Sequence, residues 1–270
     1  MSVLYIVPTP IGNLGDITPR AVETLSNVSF VAAEDTRVTL RLLTHLGIKK
    51  SLICYQEHNK LTRGGDIVSR ILAGESCALV TDAGTPAISD PGEMLVRQCA
   101  DAGITVVSLP GPCAAICALS ASGLPTGRFC FEGFLSMNKK SRREHLASLK
   151  DEHRTMIFYE APHKLRSTLD DLYAAFGDRR ITLCRELTKI HEEFIRTTLS
   201  KARELYTELP PRGEYVLVLE GSTETEEVKD VSFDLSGSSK EAAARAREKG
   251  LSRNEAYRAS LRAKKEGSEE

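Results

Sequence analysis

The chain has 270 residues, 41% hydrophobic and 27% charged, with a formal net charge of −1. That length accommodates two domains or one large domain with additions, and the composition is that of an ordinary globular protein. The near-neutral balance excludes a strongly basic protein, so any nucleic-acid contact has to come from local patches.

The opening "MSVLYIVPTPIGNLGD" has no basic leader and its apolar run breaks at Pro8, so it reads as neither signal peptide nor membrane span. No other apolar stretch approaches the ~18 residues that a membrane helix needs. "VLYIV" (3–7) reads as a strand, followed by a Gly/Pro loop and a helix with Thr18 as N-cap and Pro19 at its first position. "SFVAA" (29–33) is the next strand, and "TLRLLTHLG" (39–47) a helix closed by Gly47. "SLICY" (51–55), a helix around 66–73, "CALV" (77–80), a helix around 91–102 and "ITVVSL" (104–109) continue the alternation. Short apolar strands separated by helices predict a mainly parallel sheet with helices on both faces.

After "PGPCAAICALSASGLPTG" (110–127) the strands lengthen and alternate: "RFCFEGFL", "TMIFYEA", "RITLCREL", "EEFIRTTL" and "GEYVLVLEG". Two or three helices lie among them, notably 163–176 and 201–208, which predicts a second α+β domain with a mixed sheet. The expected division is 1–114, 115–222, an acidic linker at 223–238 and a basic helical tail at 239–270. From Ser238 to Lys265 nine Lys or Arg face three Glu.

The seven cysteines are scattered, without a CxxC, and fit a reducing cytoplasm better than a disulfide framework. Cys113 and Cys117 are four apart but have no third ligand nearby, so no metal site is expected. HExxH spacing is absent, as is a GxSxG elbow.

Three loops follow strands at what would be the carboxyl edge of the sheet, where open α/β folds bind ligands. The first, "VPTPIGNLGDIT" (7–18), is neither GxGxxG nor GxxxxGK[ST], which disfavours a dinucleotide or triphosphate; a rigid turn is the plain alternative. The second, "VTDAGTPAISDPG" (80–92), is longer than a βα turn requires. Two glycines and two prolines stiffen it, and it carries no Lys or reactive side chain. It fits recognition through the backbone, with Asp90 capping the helix that Pro91 begins. The third, "LPGPCAAICALSASG" (109–123), reads equally as a binding loop or as a tightly packed interdomain helix.

"AAEDTR" (32–37) places Glu34, Asp35 and Arg37 at the same edge, as a cap with surface charges or as catalytic groups. "LCRELTKIHEE" (183–193) gathers Arg185, Glu186 and Lys189, and "FYEAPHKL" (158–165) offers Glu160. "KKSRRE" (139–144) and the tail are solvated faces or an anionic-polymer surface.

Together "PTPIGNLGDITPRA", "AEDTR", "DAGTPAISDPG", "PGPCAA", "FYEAPHK" and "PRGEYVLVLEG" resemble the tetrapyrrole methylase superfamily, and within it the branch that methylates small-subunit ribosomal RNA. The resemblance runs from about residue 4 to 221 and extends to that branch's basic C-terminal helices. It implies an α/β, two-domain tetrapyrrole-methylase-like fold with the cofactor S-adenosylmethionine (SAM) in the cleft. The reaction it implies is 2′-O-methylation of a cytidine ribose in the decoding region of 16S rRNA, free or in the assembled subunit, by a cytoplasmic homodimer. Cofactor positions carried over are Pro10, Ile11, Ala83, Gly84, Thr85, Ile88, Cys113, Ala114, Glu160 and Leu187. Thr85 stands where the wider family has Asp, and prolines replace glycines in the first loop.

A 2′-hydroxyl is a weak nucleophile, so a base is needed; Glu34, Asp35 and Glu186 are the candidates. RNA contacts are expected from Arg37, Lys139, Lys140, Arg142, Arg143, Arg185 and Lys189, and from Arg253, Arg258 and Arg262 in the tail. A porphyrinoid methyltransferase and a non-catalytic RNA-binding protein on the same fold are the competing functions.

Overall fold

The structure, a computed structural model, describes residues 2–223. The linker from Glu224 onward and the basic tail, with Arg253, Arg258 and Arg262, lie outside the described residues.

The first sheet contains β1 (Val3–Ile6), β2 (Phe30–Ala33), β3 (Ser51–Cys54), β4 (Cys77–Val80) and β5 (Thr105–Ser108) in the order β3-β2-β4-β1-β5. Every pairing in it is parallel. Two of the three interior strands, Phe-Val-Ala-Ala (β2) and Cys-Ala-Leu-Val (β4), are buried at every position. That is why they read as continuous apolar runs rather than as alternations. One face packs Leu4, Phe30, Leu79 and Leu95 together; the other packs Val7, Leu25, Val31 and Val80.

The covering helices are α1 (Pro19–Asn27), α2 (Thr36–His45), α3 (Lys60–Leu72) and α4 (Gly92–Asp101). Thr18 accepts from the Ala21 amide at 3.1 Å, and Pro19 supplies the first helical φ without losing a bond. α2 begins three residues earlier than expected, because the Asp35 carboxylate accepts from Arg37 N and caps it. α3 also begins earlier than expected, at Lys60, where exposed polar residues mask the periodicity.

The second sheet runs β6-β7-β10-β8-β9: β6 (Phe129–Phe134), β7 (Thr155–Glu160), β8 (Arg180–Arg185), β9 (Glu193–Thr198) and β10 (Tyr215–Leu219). β6 and β7 are parallel and the other pairs antiparallel, giving the mixed sheet expected. Its residues alternate between faces. Met156, Phe158, Leu217 and Leu219 pack under α7 (Leu165–Phe176) and α8 (Leu199–Glu208), whereas Ile157, Val216 and Val218 meet α5 (Ala114–Ser122).

A fourth helix of this half, α6 (Lys139–Ser148), was not expected. It buries only Leu146 and so lacks an apolar stripe; Asn138 Oδ1 starts it by accepting from Lys140 N and Ser141 N. Among the described residues no helix is long and apolar enough to cross a membrane.

Candidate active site

The parallel sheet aims the three loops after β1, β4 and β5 at one another. Thr9 and Gly84 exchange backbone hydrogen bonds of 2.9 and 3.0 Å, joining the first loop to the second. Gly84 has φ +87°, and a Cβ there would lie 3.3 Å from Ile11 Cγ2. The Thr85 hydroxyl donates to Pro112 O at 2.8 Å, joining the second loop to the third. Gly111 touches the Pro8 ring so closely that a Cβ would lie 2.6 Å from Pro8 Cβ. The three loops form one connected wall.

The second sheet closes on this wall. Leu187, Ile11, Cys113 and Ala114 belong to one apolar cluster with Ala115, Ile157 and Val216. Gly12 meets the turn after β8, where an added Cβ would lie 3.0 Å from both Leu187 O and Thr188 Oγ1. Tyr159 OH accepts from the Ala115 amide at 3.1 Å at the start of α5, and burial raises its phenol to about 12. Thus Pro10, Ile11, Gly84, Thr85, Cys113, Ala114 and Leu187 come together, with exposed Ala83 and Ile88 on the rim.

Backbone strain concentrates here. Among the described residues the non-glycine positions with positive φ are Ala87 (68°), Ser89 (67°), Glu186 (50°) and Thr188 (64°). Each pair brackets an expected cofactor residue, Ile88 in one loop and Leu187 in the other. Such conformations cost roughly 1–3 kcal/mol each and persist where a site requires them. Thr188 Oγ1 is buried without a hydrogen-bond partner beside Gly12. An orphaned hydroxyl and strained backbone around an apolar floor fit an amphipathic ligand of SAM's kind.

Several expectations need correction. Glu160 follows Tyr159 in a strand, so its side chain leaves the opposite face: it is 4% exposed and bonded to Thr168 of α7 and to Ala161 N. Its carboxylate faces away from the three loops. The N–H and C=O of Gly84 both bond Thr9, so its backbone hydrogen bonds join the first two loops. α4 starts at Gly92, one residue beyond the Pro91 start expected, although Asp90 Oδ1 does accept from Gly92 N and Ala87 N at 3.0 and 2.8 Å.

The three candidate bases separate. Asp35 is paired with Arg37 at 2.6 Å and caps α2. The hydrogen bonds from Arg37 lower its pKa to about 2, a poor position for taking a proton. Glu186 is likewise held low by Lys189 Nζ at 2.8 Å, and it accepts from Glu214 N. Glu34 accepts from the Thr81 hydroxyl at 2.6 Å. A depressed carboxylate stabilises above its ordinary value of 3.8 and loses that contribution as pH falls through its folded pKa. The Arg37 backbone amide is therefore expected to keep its capped chemical shift until pH approaches about 2, which an NMR titration measures.

Among the expected RNA contacts, Lys139, Lys140 and Arg143 are exposed on α6. Arg142 is not available: its side chain is 11% exposed, with Nε on Asp171 at 2.5 Å and Nη2 on Thr168 at 2.8 Å. It faces the packed side of α6, one helical position away from Arg143. Arg185 pairs across the sheet with Glu193, and Lys189 with Glu186 and Glu214. Both belong to the scaffold of the Leu187 turn, whereas exposed Arg37 is held by Asp35. Thr9, Thr81, Asp82, Tyr159 and Thr188 also line or support the site. All five lie within the quoted motifs, but the sequence singles out none of them, because a motif does not say which of its side chains turn toward the site.

A family model described as "Tetrapyrrole (Corrin/Porphyrin) Methylases" matches residues 3–203. The chain belongs to the tetrapyrrole methylase family. The "Ribosomal RNA small subunit methyltransferase I" of Synechocystis sp. is 53% identical over 224 residues, covering 83% of this chain and 80% of that protein. That of Escherichia coli O157:H7 is 50% identical, over 83% and 79%. Among solved structures, the methyltransferase CobJ aligns with a TM-score of 0.61 at 17% identity, covering 82% of this chain and 94% of that one. Uroporphyrin-III-C-methyltransferase from Thermus thermophilus aligns at 0.58 and 19%, over 81% and 94%. These two share the fold.

Proposed function

We propose that the chain is a SAM-dependent methyltransferase that acts on small-subunit ribosomal RNA, transferring a methyl group to the 2′-oxygen of a cytidine in the decoding region of 16S rRNA. The observation that carries this reading is the convergence of three bonded loops on the Leu187 turn, in a chain about half identical to small-subunit rRNA methyltransferases. Bound there, SAM supplies a methyl on a sulfonium, an electrophile that needs no activation. The chain therefore has to hold, orient and exclude water. Ile11, Cys113, Ala114 and Leu187 supply the apolar contacts in this reading, and Ala83, Thr85 and Ile88 the loop wall. Residues 1–114 and 115–222 act as its two domains, and the enzyme works in the cytoplasm as a homodimer, a state that sedimentation tests.

RNA approaches over α6. Reversing Lys139, Lys140 and Arg143 to Glu is expected to weaken rRNA binding and flatten its salt dependence by roughly 2 units of the log–log slope, since each phosphate contact contributes about 0.7–0.9. Arg142→Ala is expected instead to cost stability, about 1–3 kcal/mol from stranded Asp171 and Thr168 partners, without changing that slope. Calorimetric titration with SAM tests the cofactor half of the reading: saturable binding supports it, and no heat at millimolar SAM contradicts it.

A further inference from the structure

A cavity of about 300 Å³ opens beside the cofactor loops, between the first loop, α2 and the end of β4. Thr9 and Pro10 form the wall that it shares with the candidate cofactor site, Val38 and Leu42 its apolar side, and Thr81 and Asp82 its end. Arg41 and His45 stand on the same lining, and both are exposed. Arg41 makes no ion pair among the described residues.

Resting on the reading above, we propose that this cavity receives the acceptor nucleotide, turned out of its RNA strand, and that Asp82 takes the proton of its 2′-hydroxyl. The size is that of a small ligand site and suits one nucleoside; a four-pyrrole macrocycle with its carboxylate arms is far larger. Enzymes that modify one nucleotide extrude it into such a pocket, and splayed RNA residues are held by apolar walls and polar edges. Arg41 and His45 offer donors to the flanking phosphate.

Asp82 lines the cavity and immediately precedes Ala83 and Gly84 of the second loop. Its Oδ1 accepts from the Asp35 amide at 3.0 Å, while Oδ2 accepts no hydrogen bond among the described residues. Of the carboxylates at this edge, Asp35 is paired with Arg37, and Asp82 lines the cavity whereas Glu34 and Asp35 do not. Loss of water raises the Asp82 pKa, and the hydrogen bond from the Asp35 amide opposes this. The charges of Glu34 and Asp35 add to the rise, Arg37 opposes it least, and the net direction is upward. The direction favours proton uptake. In the transfer the 2′-oxygen gains the methyl carbon as the carbon–sulfur bond breaks. The sulfonium charge is discharged to a neutral thioether, and the hydroxyl proton passes to Asp82.

Methyl transfer from labelled SAM to unmodified small ribosomal subunits tests this with the full-length protein, alongside calorimetric SAM titration. Asp82→Asn keeps an oxygen for the Asp35 amide. It is expected to lower kcat at least a hundredfold, to remove the acidic limb of the pH profile, and to leave the SAM Kd within twofold; Asp82→Glu restores part of the rate. Val38→Phe, which fills the cavity, and surface Arg41→Ala are expected to raise the KM for subunits at least tenfold and fivefold with the SAM Kd unchanged. Asp82→Asn within threefold of the parent kcat, or both other variants at the parent KM, overturns the proposal while leaving the methyltransferase reading standing. No transfer to subunits by the parent protein overturns the reading and the proposal with it.

Discussion

Gly84→Val is expected to raise the Kd for SAM at least tenfold, measured by calorimetry. The position needs φ +87°, and a β-branched residue there is a backbone outlier. Its Cβ would already meet Ile11 at 3.3 Å, so the two γ-methyls have to displace the first loop. The paired bonds to Thr9 cannot survive that displacement, and they set the spacing of two of the three loops. Strain of this kind costs roughly 1–3 kcal/mol, and the loss falls on the site because the loop carries little of the core. Thr85→Val, which removes the bond to Pro112, gives a smaller change in the same direction. A Gly84→Val protein that binds SAM like the parent would show that the loop wall is not the cofactor wall.

Phe158→Ala is expected to destabilise the protein by about 3–5 kcal/mol, read as a fall in the urea midpoint with little change in slope. Phe158 is fully buried in the second sheet, packed with Leu165, Leu169 and Leu217 beneath α7. Truncating it leaves a cavity that close-packed neighbours fill only in part. The same strand presents Tyr159 to α5 on its other face, so SAM affinity is expected to fall together with stability. A loss below about 1 kcal/mol would mean that this half of the core collapses onto the vacancy.

Much of the fold is legible because each sheet writes its burial into the sequence. Phe30–Ala33 and Cys77–Val80 are covered on both faces and read as unbroken apolar runs; Thr155–Glu160 and Tyr215–Leu219 divide alternate residues between two helical layers. α6 escaped because a cap and solvated charges start it, and only Leu146 anchors it. The site was legible as loops and not as side chains. Ile11, Cys113, Ala114 and Leu187 meet as their motifs imply. The direction of Glu160 depends on strand parity at Tyr159, and the availability of Arg142 depends on the helix face turned toward Asp171. Neither is fixed by a motif. The second loop's poverty of reactive groups is consistent with holding a reagent that is itself electrophilic. Asp82 is its exception, and only the fold sets it beside a cavity.

The most direct measurement is the fate of a labelled methyl group from SAM, offered in parallel to small ribosomal subunits lacking the modification and to a porphyrinoid acceptor. The predicted result is label in 16S rRNA, recovered after complete nuclease digestion as 2′-O-methylcytidine, with none on the porphyrinoid. Label on the porphyrinoid, on a nucleobase, or on neither substrate would contradict the proposed function.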